Sequence, residues 1–490
     1  MNVFEQYTDP VTYAKIVDWP NVTAMWQNSV KTYGENLAVE DGAESLTYAA
    51  LDARAARIRG ALKEQGIGRG DRVGLFATNG CTFVCAYLAI VTAGATAALL
   101  PPQLDGNTVA GVSRMFGLKL LLVEDALKAK LPAELPVKVM DAAAEGEPEK
   151  AIEVDPAEPC VIMFTGGTTG RSKGALLSNR AVMTGTKYGC YGIKEIFEQR
   201  YFLVLPLTHV FGLIRNLMAA LYTGSALHIC KNNKDMFREI AVFRPTVWVV
   251  VPALAEMALN LSRQFKRNML GEDMKTIICG AAAVAPYLVR EYHKMGIDLF
   301  PGYVLTESAN LVSGNPDNLN RPASVGLPFP GQELKLVNGE LWLKGPNMMD
   351  GYVGNPQENE AAYEDGWFKT GDLARFDEDG FLYITGRIKE IIVLSNGENV
   401  SPAEVEAKFY ALETVQDSLV YAENDALVLE VVPRNAVLLA MGKEDPTAFL
   451  REQLNEVNRT LPGFERVSKI IIRDTDFKRS PSMKILRNQK

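Results

Sequence analysis

The chain has 490 residues, too many for one compact core, so two or more domains are expected. Its 47% hydrophobic and 22% charged residues are those of an ordinary globular protein and exclude long disordered or collagen-like tracts. A net charge of -8 gives no general attraction to nucleic acid or to an anionic membrane, and no nucleic-acid partner is expected.

The first residues, MNVFEQYTDPVTYAK, lack a basic start followed by an apolar core, so no secretory signal is read there. Leu51 to Gln65 carries apolar residues at helical spacing and stops at Gly66. From Val73 to Leu104 no side chain is charged, a run long enough to suggest a membrane span. Gly80, Gly94 and Pro101-Pro102 divide it, however, and the pieces read as a strand, a buried helix near Cys81 to Ala93 and a second strand. No membrane span is therefore expected. The six cysteines have no metal-type spacing, three histidines are too few for a histidine-based metal centre, and a cytoplasmic protein fits both observations.

Ala142 to Glu153 reads as an exposed acidic linker. Beyond it, Val161 to Phe164 is a β-run that leads into MFTGGTTGRSKG (Met163 to Gly174), and Leu176 to Thr184 reads as the start of a helix. A strand, a glycine-rich loop and a helix would aim backbone N–H groups, threonine hydroxyls and Lys173 at a polyphosphate. The common nucleotide P-loop pattern is absent, and an ordinary turn is the alternative for this loop alone.

Short β-rich runs follow at Tyr201 to Leu205, Ala226 to Cys230, Thr246 to Val251 and Lys275 to Cys279, with helical stretches between them. Such alternation predicts an α/β domain of parallel, helix-covered sheets. After about Gly326 the runs become shorter and closer (Glu333 to Val337, Glu340 to Lys344, Gly380 to Ile384), which predicts a small β-barrel-like part. A small α+β domain is expected to follow. The division is placed at 1–386 and 387–490, with the boundary at Arg387 to Lys389.

Three further stretches have polar side chains in suggestive order. In Gly302-Tyr303-Val304-Leu305-Thr306-Glu307 a tyrosine can stack on a base, a threonine can donate to phosphate and a carboxylate can hold Mg²⁺. A strand end with a surface glutamate is the alternative. In Thr370-Gly371-Asp372 and Gly386-Arg387 a carboxylate and a guanidinium suit the hydroxyls of a ribose, although Asp372 could instead cap a turn. The basic tail from Lys478 to Arg487 could be a solvated terminus.

Taken in order, these motifs resemble the adenylate-forming superfamily of acyl-CoA synthetases, luciferases and peptide-synthetase adenylation domains. The likeness runs from about Leu46 to Lys484 and includes Pro206-Leu207-Thr208-His209 and Ser395 to Pro402. It implies that a carboxylate attacks the α-phosphorus of ATP to give an acyl-adenylate, and that a thiol then displaces AMP. The implied cofactors are ATP, Mg²⁺ and CoA or the phosphopantetheine of an acyl or peptidyl carrier protein.

Carried over by position, Thr165, Gly166, Gly167, Thr168, Thr169, Gly170 and Lys173 form the phosphate loop, Tyr303 lies on adenine, and Gly280 and Ala281 are also cofactor-binding. Thr306 lies by the α-phosphate, Glu307 on Mg²⁺, and Asp372 and Arg387 on the ribose. Lys484 is the catalytic lysine of a mobile C-terminal domain that hinges at Lys389, and Gly397 lines the thiol's approach. Val304 looks into the acyl pocket and His209 lies near it as a gate, a packed structural histidine being the alternative for that position.

Two departures from the family pattern matter. Gly166 stands where serine is usual, and Val304 replaces a common glycine, which narrows the pocket toward short, medium, branched or small aromatic acids. No acidic residue follows the Pro206-Leu-Thr-His-Val-Phe-Gly stretch to hold an α-ammonium, so amino acids are disfavoured as substrates. Arg215, on an otherwise apolar helical stretch, could pair with a second carboxylate or hydroxyl on the substrate, snorkel, or pair with a protein carboxylate.

Overall fold

The computed structural model describes residues 3–143, 146–165, 173–395, 398–443, 445–479 and 485–487. Two large sheets form the main body. The first has seven strands in the order Gly351–Tyr352, Gly174–Ser178, Pro159–Phe164, Thr96–Leu100, Arg72–Phe76, Leu120–Val123 and Val137–Val139. Its last five strands are parallel and its first two antiparallel. The second has nine strands, with a parallel centre built from Arg200–Leu203, Ala226–Ile229, Val247–Val250, Thr276–Cys279 and Asp298–Leu305.

The central strands are buried on both faces, which is why Val247–Val250 reads Val-Trp-Val-Val without alternation. The uncharged stretch after Val73 folds as a strand, the helix Cys81–Thr92 and a strand, and in that helix every side chain but Thr82 is buried. Among the described residues no helix is long and apolar enough to cross a membrane. All six cysteines are buried and none forms a disulfide. The helix expected from Leu51 begins earlier, at Tyr48, because the Thr47 side chain accepts from the Ala50 N–H and caps it there.

Two expectations need correction. Leu176 does not start a helix: Gly174–Ser178 is a strand paired antiparallel with Pro159–Phe164, and the helix is Asn179–Tyr188, capped by Ser178. The glycine-rich segment therefore connects two antiparallel strands in sequence. The expected linker after Ala142 is also less free than its charge suggests. The Glu149 and Ile152 N–H groups donate to Ala56 and Thr92 carbonyls, and a Cβ on Gly60 would collide with the Glu147 carbonyl, so this segment lies flat on two helices.

An antiparallel five-stranded sheet follows, with Glu333–Val337, Glu340–Lys344 and Tyr363–Glu364 arranged beside Trp367–Phe376, which also pairs with Leu382–Arg387. The last of these strands starts two residues later than the Gly380 run suggests, because Gly380 closes a turn onto Asp377 with φ +82. Beyond the turn Ile388–Glu390, the helices Pro402–Tyr410 and Pro446–Thr460 pack on the sheet formed by Val415–Glu423, Ala426–Pro433 and Lys469–Ile472. This C-terminal part has its own apolar cluster, including Val405, Phe409, Leu429 and Leu454. The fold is thus α/β with a large N-terminal part and a smaller α+β C-terminal one.

Candidate functional site

Strand Asp298–Leu305 runs at the edge of the parallel part of the nine-stranded sheet, and its register with Asn310–Gly314 shifts between Tyr303 and Val304. Such a bulge re-aims side chains locally. It leaves the Tyr303 ring buried, with its hydroxyl donating to Asp372. Asp372 in turn lies directly opposite Arg387 across the antiparallel pair Trp367–Phe376 and Leu382–Arg387, and Arg387 Nε is 2.7 Å from its carboxylate. One carboxylate, 2% exposed, thus ties together a tyrosine and an arginine from two sheets.

The charges in this cluster compensate one another. Burial pushes the Tyr303 hydroxyl far above its ordinary pKa, and the Asp372 charge pushes it further, so it remains a donor. Burial alone would lower Arg387, but Asp372, Tyr303 and Glu390 outweigh it and hold the guanidinium above its usual value.

The chain leaves strand Asp298–Leu305 through the 3-10 turn Thr306–Ser308 and then passes two left-handed residues, Ala309 (φ 46) and Asn310 (φ 94). Thr306 is buried and Glu307 partly exposed. One Glu307 oxygen accepts from the Tyr352 hydroxyl at 2.7 Å, and burial together with that carboxylate drives the Tyr352 pKa strongly upward. The Lys173 ammonium lies 4.7 Å from the Tyr352 ring centre and is also paired with Glu358. Lys173, Tyr352 and Glu307 thus form a continuous chain from the glycine-rich hairpin to the turn.

Thr165 and Lys173 close the neck of that hairpin, the Thr165 N–H donating to the Lys173 carbonyl at 2.9 Å. Gly166, Gly167, Thr168, Thr169 and Gly170 lie outside the described residues, as do Gly397 and Lys484. Gly280, at the end of strand Thr276–Cys279, is so close to its neighbours that a Cβ there would stand 3.0 Å from the Gly302 carbonyl and 3.4 Å from Phe211. Ala281 follows with φ +65, a conformation that costs an alanine on the order of 1 kcal/mol and tends to occur at functional sites.

His209 sits in the turn before the π-helical segment Phe211–Met218 and is partly exposed, its N–H donating to Pro206. Phe211 and Arg215 lie one turn apart on that segment. Val304 is partly buried and packs with Leu311, Phe329 and Tyr188. Lys389 is exposed, in the turn Ile388–Glu390 that leaves the five-stranded sheet.

Two groups have no separate signal in the sequence. Tyr352 reaches the site because Gly351–Tyr352 adds a short strand beside Gly174–Ser178, pairing Tyr352 with Ala175. Glu358 follows on the helix Pro356–Ala362. Glu307 offers the hard oxygen donor that Mg²⁺ prefers, beside groups suited to phosphate, so the residues present fit a Mg²⁺–nucleotide.

The chain matches known families and structures over most of its length. The model of the AMP-binding enzyme family matches residues 26–353, and that of the AMP-binding enzyme C-terminal domain matches residues 389–490. An oxalate–CoA ligase of Arabidopsis thaliana is 28% identical over 89% of this chain and 93% of its own length. A 2-succinylbenzoate–CoA ligase of Bacillus velezensis is 29% identical over 81% of this chain and 84% of its own. The crystal structure of the anthranilate CoA ligase AuaEII in complex with anthranoyl-AMP superimposes with a TM-score of 0.83 at 20% identity, covering 96% of both chains, which is a likeness of fold.

Proposed function

Because the chain belongs to the AMP-binding enzyme family and is by class an AMP-forming acid–thiol ligase, we propose that it activates a small carboxylic acid with ATP and passes the acyl group to CoA. In the first half-reaction a carboxylate oxygen bonds to the α-phosphorus of ATP as the bond to pyrophosphate breaks. In the second, the thiol sulfur bonds to the acyl carbon, AMP leaves and the thiol proton passes to solvent. Both reactants in the first step are anionic, so the site must supply positive charge as they meet.

The observation that carries this reading is the joined pair of clusters, Tyr303–Asp372–Arg387 and Lys173–Tyr352–Glu307, with Thr306 between them in sequence. In the first, Asp372 and Arg387 hold the ribose hydroxyls and Tyr303 covers adenine, beside the close-packed Gly280 and the left-handed Ala281. In the second, Thr165 and Lys173 bind the terminal phosphates and Thr306 donates near the α-phosphate. Glu307 would hold Mg²⁺, which when bound neutralises phosphate charge.

Residues 387–490 act as a mobile domain, supported by their separate apolar cluster, with Lys389 as hinge, Lys484 as the lysine bridging carboxylate and phosphate, and Gly397 on the thiol's path. His209 borders the acyl pocket, and Val304, packed on Leu311 and Phe329, keeps it short. The cytoplasm is the proposed compartment, supported by six cysteines with no disulfide among them.

Carboxylate-dependent exchange between ATP and pyrophosphate, run over acids graded by length and aromaticity and repeated with CoA, tests the proposal. Exchange with small acids and AMP release on adding CoA are expected. Exchange without turnover on CoA would transfer the second step to a carrier protein, and no exchange with any acid would leave a nucleotide-binding sensor.

A further inference from the structure

Among the described residues Arg59, Arg215 and Arg434 are the buried arginines, and only Arg215 has no carboxylate partner there. Arg434, 1% exposed, donates to Glu256 at 2.6 Å and lies 4.1 Å over the Tyr287 ring. Arg59, 3% exposed, donates to Thr92 and to the Glu149 carbonyl. Arg215 is also 1% exposed, yet no carboxylate pairs with it among the described residues, and its terminal nitrogens make no hydrogen bond of ordinary geometry, the neutral Tyr201 hydroxyl being a polar neighbour. It neither snorkels nor forms an ion pair.

Its neighbours supply no negative charge. Burial pushes the Cys190 thiol and the Tyr201 hydroxyl up to about 12 even with the guanidinium beside them, so both stay neutral. The guanidinium rests against Gly189, where a Cβ would stand 3.1 Å from Nη1. A buried charge without a counter-charge is among the most unfavourable features a fold can carry, and it persists where a ligand or function compensates it.

Arg215 also faces a cavity. The space is small and is bounded by Tyr188, Gly189, Ile278, Gly302, Leu311 and Phe329 as well as by Arg215. Apart from the guanidinium these side chains are apolar or, for Tyr188, already satisfied by donating to the Pro330 carbonyl at 2.7 Å. Gly302 precedes Tyr303 and abuts Gly280, and Phe211, one turn before Arg215, lies against the same glycine. Gly302, the residue before Tyr303, thus lines one part of the cavity and Arg215 another.

We propose that Arg215 receives the second carboxylate of a small dicarboxylic acid whose other carboxyl is adenylated. The proposal rests on the ligase reading above. The guanidinium fork matches a carboxylate with two parallel N–H···O bonds, a geometry that a lysine or a neutral donor does not reproduce. The distal carboxylate is unchanged by the reaction: the proximal oxygen bonds to phosphorus, pyrophosphate leaves, and the far end only anchors the acid. A monocarboxylic acid of the same shape would place methyl groups against an unpaired charge.

The test measures ATP–pyrophosphate exchange with succinate, glutarate and phthalate, each against its monomethyl ester, in the wild type and in Arg215→Met. The wild type is expected to favour the diacid that fits by on the order of a hundredfold or more in kcat/KM. Arg215→Met is expected to reverse the order. Equal diacid-to-ester ratios in the two proteins, or a wild type that favours the esters, would overturn the proposal. Exchange with esters alone would leave the ligase reading standing while removing this one, whereas silence with every acid would remove both. If Arg215→Met does not fold, Arg215→Lys serves: a diacid-to-ester ratio lowered at least about tenfold supports the assignment, and an unchanged ratio contradicts it.

Discussion

The proposed nucleotide side and the proposed acid side of the site treat buried charge in opposite ways. On the nucleotide side Asp372 is shared by Tyr303 and Arg387, and Glu307 accepts from Tyr352, so the charges are matched inside the protein before any ligand arrives. On the acid side Arg215 has no such partner. A site for an invariant ligand can be organised around internal hydrogen bonds, which hold its groups in place at no cost when the ligand enters. A site that must select among acids gains discrimination by leaving one group to be satisfied only by the right one.

Neither side supplies the charge that joins the two reactants, and the family pattern gives that task to Lys484. A unit charge at about 4 Å in an effective dielectric of about 20 is worth about 4 kcal/mol, so Lys484→Ala should slow adenylation roughly a thousandfold. Transfer from a presynthesised adenylate to the thiol should survive. Equal loss of both half-reactions in a folded variant would remove the assigned role.

The next largest effect probes the matched side. Asp372→Ala leaves Tyr303 and Arg387 without their shared acceptor and removes the ribose ligand, a loss of about 3 kcal/mol or about a hundredfold in ATP affinity. Measured by titration calorimetry, an affinity unchanged by this substitution would break the comparison. Tyr352→Phe removes one donor from Glu307, worth about 1 kcal/mol, and should shift the Mg²⁺ dependence of exchange by about fivefold with little change in the acid preference.

The smallest expected effect concerns a third buried charge, Glu256, which pairs with Arg434 of the C-terminal part. Burial raises the Glu256 pKa above 4.5 despite that partner, so the folded chain holds a proton there more tightly than the unfolded chain. The resulting stabilisation is complete below pH 4.5 and is lost as pH rises through the raised value. Glu256→Gln should flatten the fall in stability above that pH, as read by urea unfolding across the acid range.

The residues proposed for the nucleotide stood out in the sequence because each sits in a short local motif: Tyr303 and Glu307 in one, Asp372 and Arg387 in two that the sheet places opposite each other. The glycine-rich hairpin was misread at its far end. Ala175-Leu-Leu favours a helix locally, and only pairing with Pro159–Phe164 makes it a strand, although Ser178 did carry the signal of a helix cap. Tyr352 had no local signal, since its position depends on a strand pair distant in sequence. For Arg215 the sequence left snorkelling, a protein partner and a substrate partner open; its burial excludes snorkelling, and no carboxylate pairs with it among the described residues.

The central claim is that the acid's own oxygen attacks the α-phosphorus of ATP. The most direct measurement is turnover with the acid labelled in its carboxyl oxygens, in the presence of ATP and CoA, followed by mass spectrometry of the nucleotide. One labelled oxygen in AMP, with none in pyrophosphate, is the predicted result. Unlabelled AMP, or ADP and phosphate in place of AMP and pyrophosphate, would contradict it.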